Sequence, residues 1–223
     1  MAKIIGIIGG MGPAATVDLL EKIYAHSSGK SEQEYVRVLA DIDPSIPDRT
    51  QAILRKEGEV VILHLLRNAQ GLIAQGAQLL AIPCNTAHAF LPDLQREVTV
   101  PFVSIVDVTV AHLLENEASC VGLLATDGTL AAGLYRQELE ARGVRVLLPE
   151  RGDQADLMRA IYTFKGGETK ASSKLAAAVY ETLRVAGAKE VIAGCTELPI
   201  LLAGQEFIDP TQLLARELVR LAG

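Results

Sequence analysis

Short runs of branched apolar residues alternate along the chain with longer stretches whose apolar positions recur at helical spacing. Ile4–Ile8, Val36–Ile42, Leu79–Ile82, Val121–Ala125, Val144–Leu148 and Val191–Ala193 are of the first kind and predict buried β-strands. Glu59–Gln75, Leu175–Val185 and Pro210–Ala222 are of the second kind and predict amphipathic helices. Alternation of this sort predicts an α/β fold, with mostly parallel sheets flanked by helices.

The pattern also repeats. Gly6-Ile7-Ile8-Gly9-Gly10-Met11-Gly12 aligns with Gly122-Leu123-Leu124-Ala125-Thr126-Asp127-Gly128, each an apolar strand opened by glycine and closed by a glycine-containing turn. Gly76 to Cys84 aligns with Gly187 to Cys195: a glycine ends a helix, a strand follows, and cysteine comes eight residues after the glycine. The displacements, 116 residues from Gly6 to Gly122 and 111 from Cys84 to Cys195, are nearly equal. Two matches in one order at nearly one displacement predict two pseudo-symmetric α/β lobes with a cleft between them. The first lobe is placed at residues 1–104 and the second at 105–208. The join falls within Val103–Ala118, where a helix-like stretch follows the strand-like Phe102–Val106. The segment 209–223 forms a helix that the residues alone assign to neither lobe.

Composition narrows the function. With 49 % hydrophobic and 22 % charged residues among 223, the chain has ordinary globular composition. A net charge of −6 with no basic run excludes an electrostatic footprint for nucleic acid. The Met1–Ile8 segment is interrupted by glycine, has one lysine before it and lacks a cleavage site, so a first β-strand is expected rather than a signal segment. No apolar stretch approaches the roughly 20 residues that span a bilayer, and a cytoplasmic location is expected. Three cysteines without a C-x-x-C pair argue against a disulfide framework, and His26, His64, His88 and His112 lack metal-ligand spacing with them. Neither metal nor cofactor is expected.

Cys84 and Cys195 fall at the carboxyl ends of their strands, where open α/β sheets bind ligands. Asn85-Thr86 and Thr196-Glu197 follow them and are helix-capping types. Each thiol is therefore expected to face a helix N-terminus and to be shifted below the free value of about 8.5. Two thiols facing each other across a cleft suit a reaction that removes a proton from one face of a carbon and returns one to the other. Cys120 starts its strand, away from that edge, and is read as core.

At these residues the chain resembles the aspartate racemase branch of the aspartate/glutamate racemase superfamily. The segments that carry the resemblance are Gly9-Gly10-Met11-Gly12-Pro13-Ala14-Ala15-Thr16, Ile46-Pro47-Asp48-Arg49-Thr50, Pro83-Cys84-Asn85-Thr86-Ala87-His88 and Gly194-Cys195-Thr196-Glu197-Leu198. The resemblance implies two α/β lobes with the active site between them, catalysis without pyridoxal phosphate or metal, and a homodimer. It implies that helix 209–223 packs back on the first lobe. It implies that Cys84 and Cys195 are the proton donor and acceptor, with Met11, Gly12, Asn85, Thr86, Thr126 and Thr196 holding the α-amino and α-carboxylate groups. A substrate-binding lysine in this family corresponds to Lys165, in Tyr162-Thr163-Phe164-Lys165-Gly166-Gly167.

Arg49, in its Pro-Asp-Arg-Thr loop with Thr50 and Gln51 beside it, is suited to grip a second carboxylate bidentately, and so points to a dicarboxylic amino acid. Asp48 positions Arg49. Glu197 either orients substrate or a thiol, or complements the helix N-terminus, and His88 is a capping or core histidine. Related activities on the same scaffold are glutamate or hydantoin racemisation and a maleate-type isomerase using one cysteine as nucleophile. Glutamate racemases open with an Asp-Ser-containing turn, whereas Gly-Gly-Met-Gly-Pro here favours the aspartate branch. A nucleotide-binding oxidoreductase fits poorly, because the glycines lack the G-x-G-x-x-G spacing and no acid follows at a second strand end.

Overall fold

The computed structural model describes residues 2–29 and 31–223. The first half of the chain runs β1 (Ile5–Gly9), α1 (Pro13–His26), β2 (Val38–Ile42), α2 (Arg49–Arg55), α3 (Gly58–Ala74), β3 (Leu79–Ala81), α4 (Leu91–Glu97), β4 (Phe102–Val103) and α5 (Ile105–Glu115). The second runs β5 (Cys120–Ala125), α6 (Asp127–Ala131), α7 (Arg136–Ala141), β6 (Arg145–Leu147), α8 (Arg151–Lys165), α9 (Thr169–Val185), β7 (Glu190–Gly194), α10 (Leu198–Leu201) and α11 (Pro210–Ala222). Single 3₁₀ turns lie at Glu32–Glu34 and Thr86–Phe90.

Two parallel sheets form, in the orders β2-β1-β3-β4 and β6-β5-β7. β1 and β5 are the equivalent central strands, flanked by β2 and β3 in one sheet and by β6 and β7 in the other. The repeat extends to individual hydrogen bonds. α3 and α9 both end in a left-handed glycine, Gly76 and Gly187, each with φ +100°. In each, the amide after the glycine bonds back to a leucine carbonyl at 3.0 Å, Ala77 to Leu72 and Ala188 to Leu183. This Schellman closure turns the chain sharply from helix into the strand that delivers a cysteine, and only glycine adopts the required φ without strain.

The predicted strand over Phe102–Val106 is shorter than expected. Ser104 Oγ accepts the Asp107 N–H at 3.1 Å and starts α5 at Ile105, so the capping interaction ends the strand after Val103. One apolar cluster draws on both sheets, joining Ile5 and Ile7 to Val121 and Leu123 through Ile105, Val110, Leu214 and Leu218. Two further clusters cover the outer sheet faces, one under α3 and the other under α8 and α9. α11 packs on α1 and α5, and the Lys3 N–H bonds to the Ala222 carbonyl at 2.8 Å. Lys22 on α1 reaches Asp209 at 2.7 Å. Ile208, just before α11, pairs instead beside β7, so this segment ties the second sheet to the first half. Among the described residues no helix is long and apolar enough to cross a membrane.

The halves also meet directly above the sheets. A Cβ on Gly128, in the first turn of α6, would lie 2.8 Å from Thr50 Cα and 2.9 Å from Thr86 Cγ2. Gly128→Ala is therefore expected to push α6 off α2 and to cost ~1–3 kcal/mol by overpacking. A thermal midpoint lowered by several degrees checks this; an unchanged midpoint would mean that the contact yields freely.

Candidate active site

Five strand ends converge on one pocket. Met11 follows β1, Asp48, Arg49 and Thr50 follow β2, and Cys84, Asn85 and Thr86 follow β3. Thr126 follows β5 and Cys195, Thr196 and Glu197 follow β7, while Ile161, Tyr162 and Lys165 reach in from α8. Both repeated cysteines are buried free thiols that line this pocket. Its internal space is only about 10 Å³, room for about one water. A wider cleft of about 560 Å³ opens outside it and shares Met11, Asp48, Arg49, Lys165 and Glu197 with the pocket. Gly12 lines this outer cleft rather than the inner pocket. Gln51 is exposed and lines neither; its backbone N–H caps α2 by donating to Asp48 Oδ1 at 2.8 Å.

Hydroxyls stitch the two halves together around the pocket. Thr86 Oγ1 lies 2.9 Å from Thr126 Oγ1 and 3.0 Å from Thr129 Oγ1. Thr196 Oγ1 donates to the Pro83 carbonyl at 3.3 Å. On the other side of the mouth, Tyr162 donates to Asp48 Oδ2 at 3.2 Å. Asp48 thus caps α2, the helix that begins at Arg49, and holds Tyr162, with no side-chain hydrogen bond to Arg49 itself. Tyr162 was not singled out by the sequence. The available signal was its place three residues before Lys165, on one face of a helix.

Arg49 is 8 % exposed. Its Nη1 donates to the carbonyls of Ile46 and Pro47 at 3.2 and 3.1 Å, and its Nη2 to Met11 at 3.2 Å. Its Nε has no partner, and no carboxylate among the described residues forms an ion pair with it. A buried guanidinium held only by carbonyls is an uncompensated charge that favours an incoming anion. Asn85 Nδ2 and Glu197 Oε1 are likewise buried without a hydrogen-bond partner. One cationic donor and one neutral donor are thus left open around a single pocket, beside an anionic oxygen that makes no hydrogen bond and holds only a longer ion pair.

Lys165 Nζ stands 3.7 Å from Glu197 Oε1 and 5.8 Å from the centre of the Tyr162 ring. Burial works to lower its pKa, but the negative groups around it, the Glu197 carboxylate foremost, outweigh this and raise it, so the ammonium stays charged.

The two thiols sit in different settings. Cys195 Sγ donates to Glu197 Oε2 at 2.9 Å. Burial, and next the Glu197 charge, push the Cys195 thiol well above the ordinary range. The expected shift toward thiolate is therefore reversed at Cys195. The physical reason is that the helices behind the cysteines are short. A 3₁₀ turn follows Cys84, and the four-residue α10 follows Cys195, so little macrodipole develops to offset burial. Neither Asn85 nor Glu197 makes the side-chain capping bond that their types suggest.

His88 supports Cys84 from behind. Its Nε2 accepts the Ile105 N–H at 3.1 Å, so the ring proton resides on Nδ1, which donates to the Cys84 carbonyl at 2.9 Å. This is the structural histidine the sequence suggested. Burial holds its pKa down at about 4, against an ordinary 6.5. Between those values the unfolded chain binds the proton and the folded one does not. Stability is therefore full above pH 6.5 and falls as pH drops toward 4, by up to ~3 kcal/mol. Denaturation midpoints measured across that range check this expectation, and His88→Gln should flatten the slope.

Cys120, read as core, is buried at the start of β5 with the Arg145 Nε–H 3.3 Å from its sulfur. Among the described residues no group of three His, Cys, Asp or Glu side chains is placed to hold a metal ion.

Comparison with known proteins decides the family. A profile described as Asp/Glu/Hydantoin racemase matches residues 8–218. The chain belongs to this racemase family. It is thereby an isomerase by class. The structure is similar to that of Picrophilus torridus aspartate racemase, with a TM-score of 0.89 and 28 % identity over 99 % of this chain and 94 % of that one. It is also similar to an aspartate racemase homologue from Pyrococcus horikoshii, with a TM-score of 0.77 and 31 % identity over 100 % and 99 % of the two chains. In sequence, the broad specificity amino-acid racemase RacX of Bacillus subtilis is 27 % identical over 96 % of each chain.

Proposed function

We propose that this racemase-family chain interconverts L- and D-aspartate without a cofactor, with Cys84 and Cys195 as its two acid/base groups. The observation that carries the reading is that two cysteines from equivalent strand ends line one closed pocket whose open groups match an amino dicarboxylate. The Glu197 carboxylate suits the α-ammonium group. Arg49 and Lys165 suit two carboxylates, and Asn85 with the amides after each cysteine supplies further donors. In one direction the Cys84 thiolate removes the α-proton and the Cys195 thiol delivers its own proton to the opposite face. The enzyme is left with Cys84 protonated and Cys195 as thiolate, ready for the reverse reaction. As the proton leaves, negative charge grows on the α-carboxylate oxygens, where the donors lie. The same reading includes a cytoplasmic homodimer, to be checked by sedimentation.

A second substrate reading rests on the 560 Å³ outer cleft, which is far larger than an aspartate side chain requires. Glutamate and longer side chains fit that space, in keeping with the broad specificity of the B. subtilis relative. Chiral chromatography after incubation with single enantiomers of a panel of amino acids tests both readings. Aspartate turned over fastest supports the first, glutamate or longer side chains turned over fastest support the second, and inversion of none contradicts both.

A further inference from the structure

Behind Asn85, on the side away from the pocket, stands Tyr135. It is 1 % exposed, belongs to the second half of the chain, and occupies the position before α7 with φ +69° and ψ −55°, a γ-turn closed by the Arg136 N–H on the Leu134 carbonyl and disfavoured for a bulky residue. Its phenolic oxygen donates to Asn85 Oδ1. Thr109, close to the same phenol, gives its own proton to the Ile105 carbonyl at 2.7 Å. With that proton spent, Thr109 can act toward the phenol only as an acceptor, and the hydrogen bond the phenol forms is to Asn85 Oδ1. Burial raises the pKa of Tyr135, so that proton is kept at any ordinary pH.

We infer that Tyr135 is a positioning residue: by occupying Asn85 Oδ1 it fixes the side-chain amide with Nδ2 presented to the pocket, making position 85 a donor to a substrate carboxylate oxygen. An amide offers an acceptor at one end and donors at the other, and the two are nearly identical in shape. Nothing else in the pocket selects between them, because Asn85 Nδ2 has no partner of its own. Turned over, the amide would aim an oxygen at an anionic substrate. Held as it is, the N–H strengthens its bond as charge builds on the α-carboxylate during proton removal. The tyrosine belongs to one half and the asparagine to the other, so the donor is set only when the halves are closed on each other.

This inference rests on the racemase reading, and the test separates the two. Racemisation of the preferred substrate is measured for the wild type, Tyr135→Phe, Asn85→Ala and the double variant, with thermal midpoints alongside. Loss of an oxyanion donor lowers kcat by ~10²-fold, and Tyr135→Phe is expected to lower it by ~10-fold with KM much less affected. In the Asn85→Ala background the phenylalanine substitution should change kcat less than about twofold, because its effect passes through the missing amide. An equal loss in both backgrounds, or no loss in the single variant, overturns the role of Tyr135. An inactive wild type strikes the racemase reading instead.

Should Tyr135→Phe fail to fold, the wild-type chain still answers. Its Asn85 side-chain amide resonance, assigned by its disappearance in Asn85→Asp, is followed by ¹⁵N NMR during titration with malonate. A shift that saturates with malonate binding supports the inference. Malonate that does not bind, or binds without moving that resonance, overturns it.

Discussion

Replacing Cys195 by serine is expected to lower racemase turnover by ~10²–10⁴-fold while leaving the fold intact. The hydroxyl is smaller than the thiol but retains a proton to donate to Glu197 Oε2, so the buried carboxylate keeps the partner that Cys195 Sγ now provides at 2.9 Å. What serine lacks is acidity near that of a thiol, so it is a poor proton source for carbon and a poor acceptor on the return. Cys84 keeps its place at the other strand end. One-sided α-proton exchange should therefore survive for one enantiomer while inversion is lost, a separation visible by proton NMR in D₂O beside chiral chromatography. Cys84→Ser should abolish inversion in the same way but leave exchange, if any, with the other enantiomer. Near-full racemisation in both serine variants would refute the two-thiol mechanism. The elevated pKa of Cys195 adds a direction: the free enzyme holds that sulfur as thiol, ready to act first as an acid.

The second large effect concerns Arg49. Arg49→Met is expected to raise KM by ~10²-fold, since a charge-assisted hydrogen bond to a carboxylate contributes ~1.5–3 kcal/mol. The guanidinium is already desolvated and has no anionic partner, so much of the cost of burying it is met before substrate arrives. The thermal midpoint should respond weakly, because two opposing effects meet. Methionine removes an unpaired buried charge, but it leaves the carbonyls of Met11, Ile46 and Pro47 without their donor. Steady-state kinetics with the preferred amino acid check this. An unchanged KM would show that the guanidinium serves only to hold the loops after β1 and β2 together.

The alternation of strands and helices and the doubled glycine-to-cysteine unit were legible because both rest on local physics. Apolar periodicity sets each element, and a left-handed glycine sets each turn, so Gly76 and Gly187 could be matched before any contact was known. The two cysteines followed from that match. The shape of the site around them was less legible. Tyr135 meets Asn85 across 50 residues of sequence and Tyr162 meets Asp48 across 114, and no local pattern announces such pairs. Gln51 illustrates the converse: it sits beside Arg49 in sequence, yet the turn into α2 points Arg49 inward and leaves Gln51 exposed. The reversed shift at Cys195 has a related cause. The capping-type residues after Cys195 suggest a full helix, whereas the chain forms only the four-residue α10 there, and burial dominates. The apolar cluster shared by both sheets also lay beyond the sequence pattern, which marks a face as apolar without saying which sheet covers it.

The most direct test of two opposed proton carriers is to incubate the reduced wild-type protein with L-aspartate in D₂O. Early samples are separated into enantiomers and each is examined for protium at Cα. With one thiol removing a proton and the other delivering a solvent-derived deuteron, the first D-aspartate formed should carry deuterium while the remaining L-aspartate keeps its protium. D-aspartate that retains protium from the start would contradict the two-cysteine account, as would the absence of both exchange and inversion with aspartate and glutamate alike.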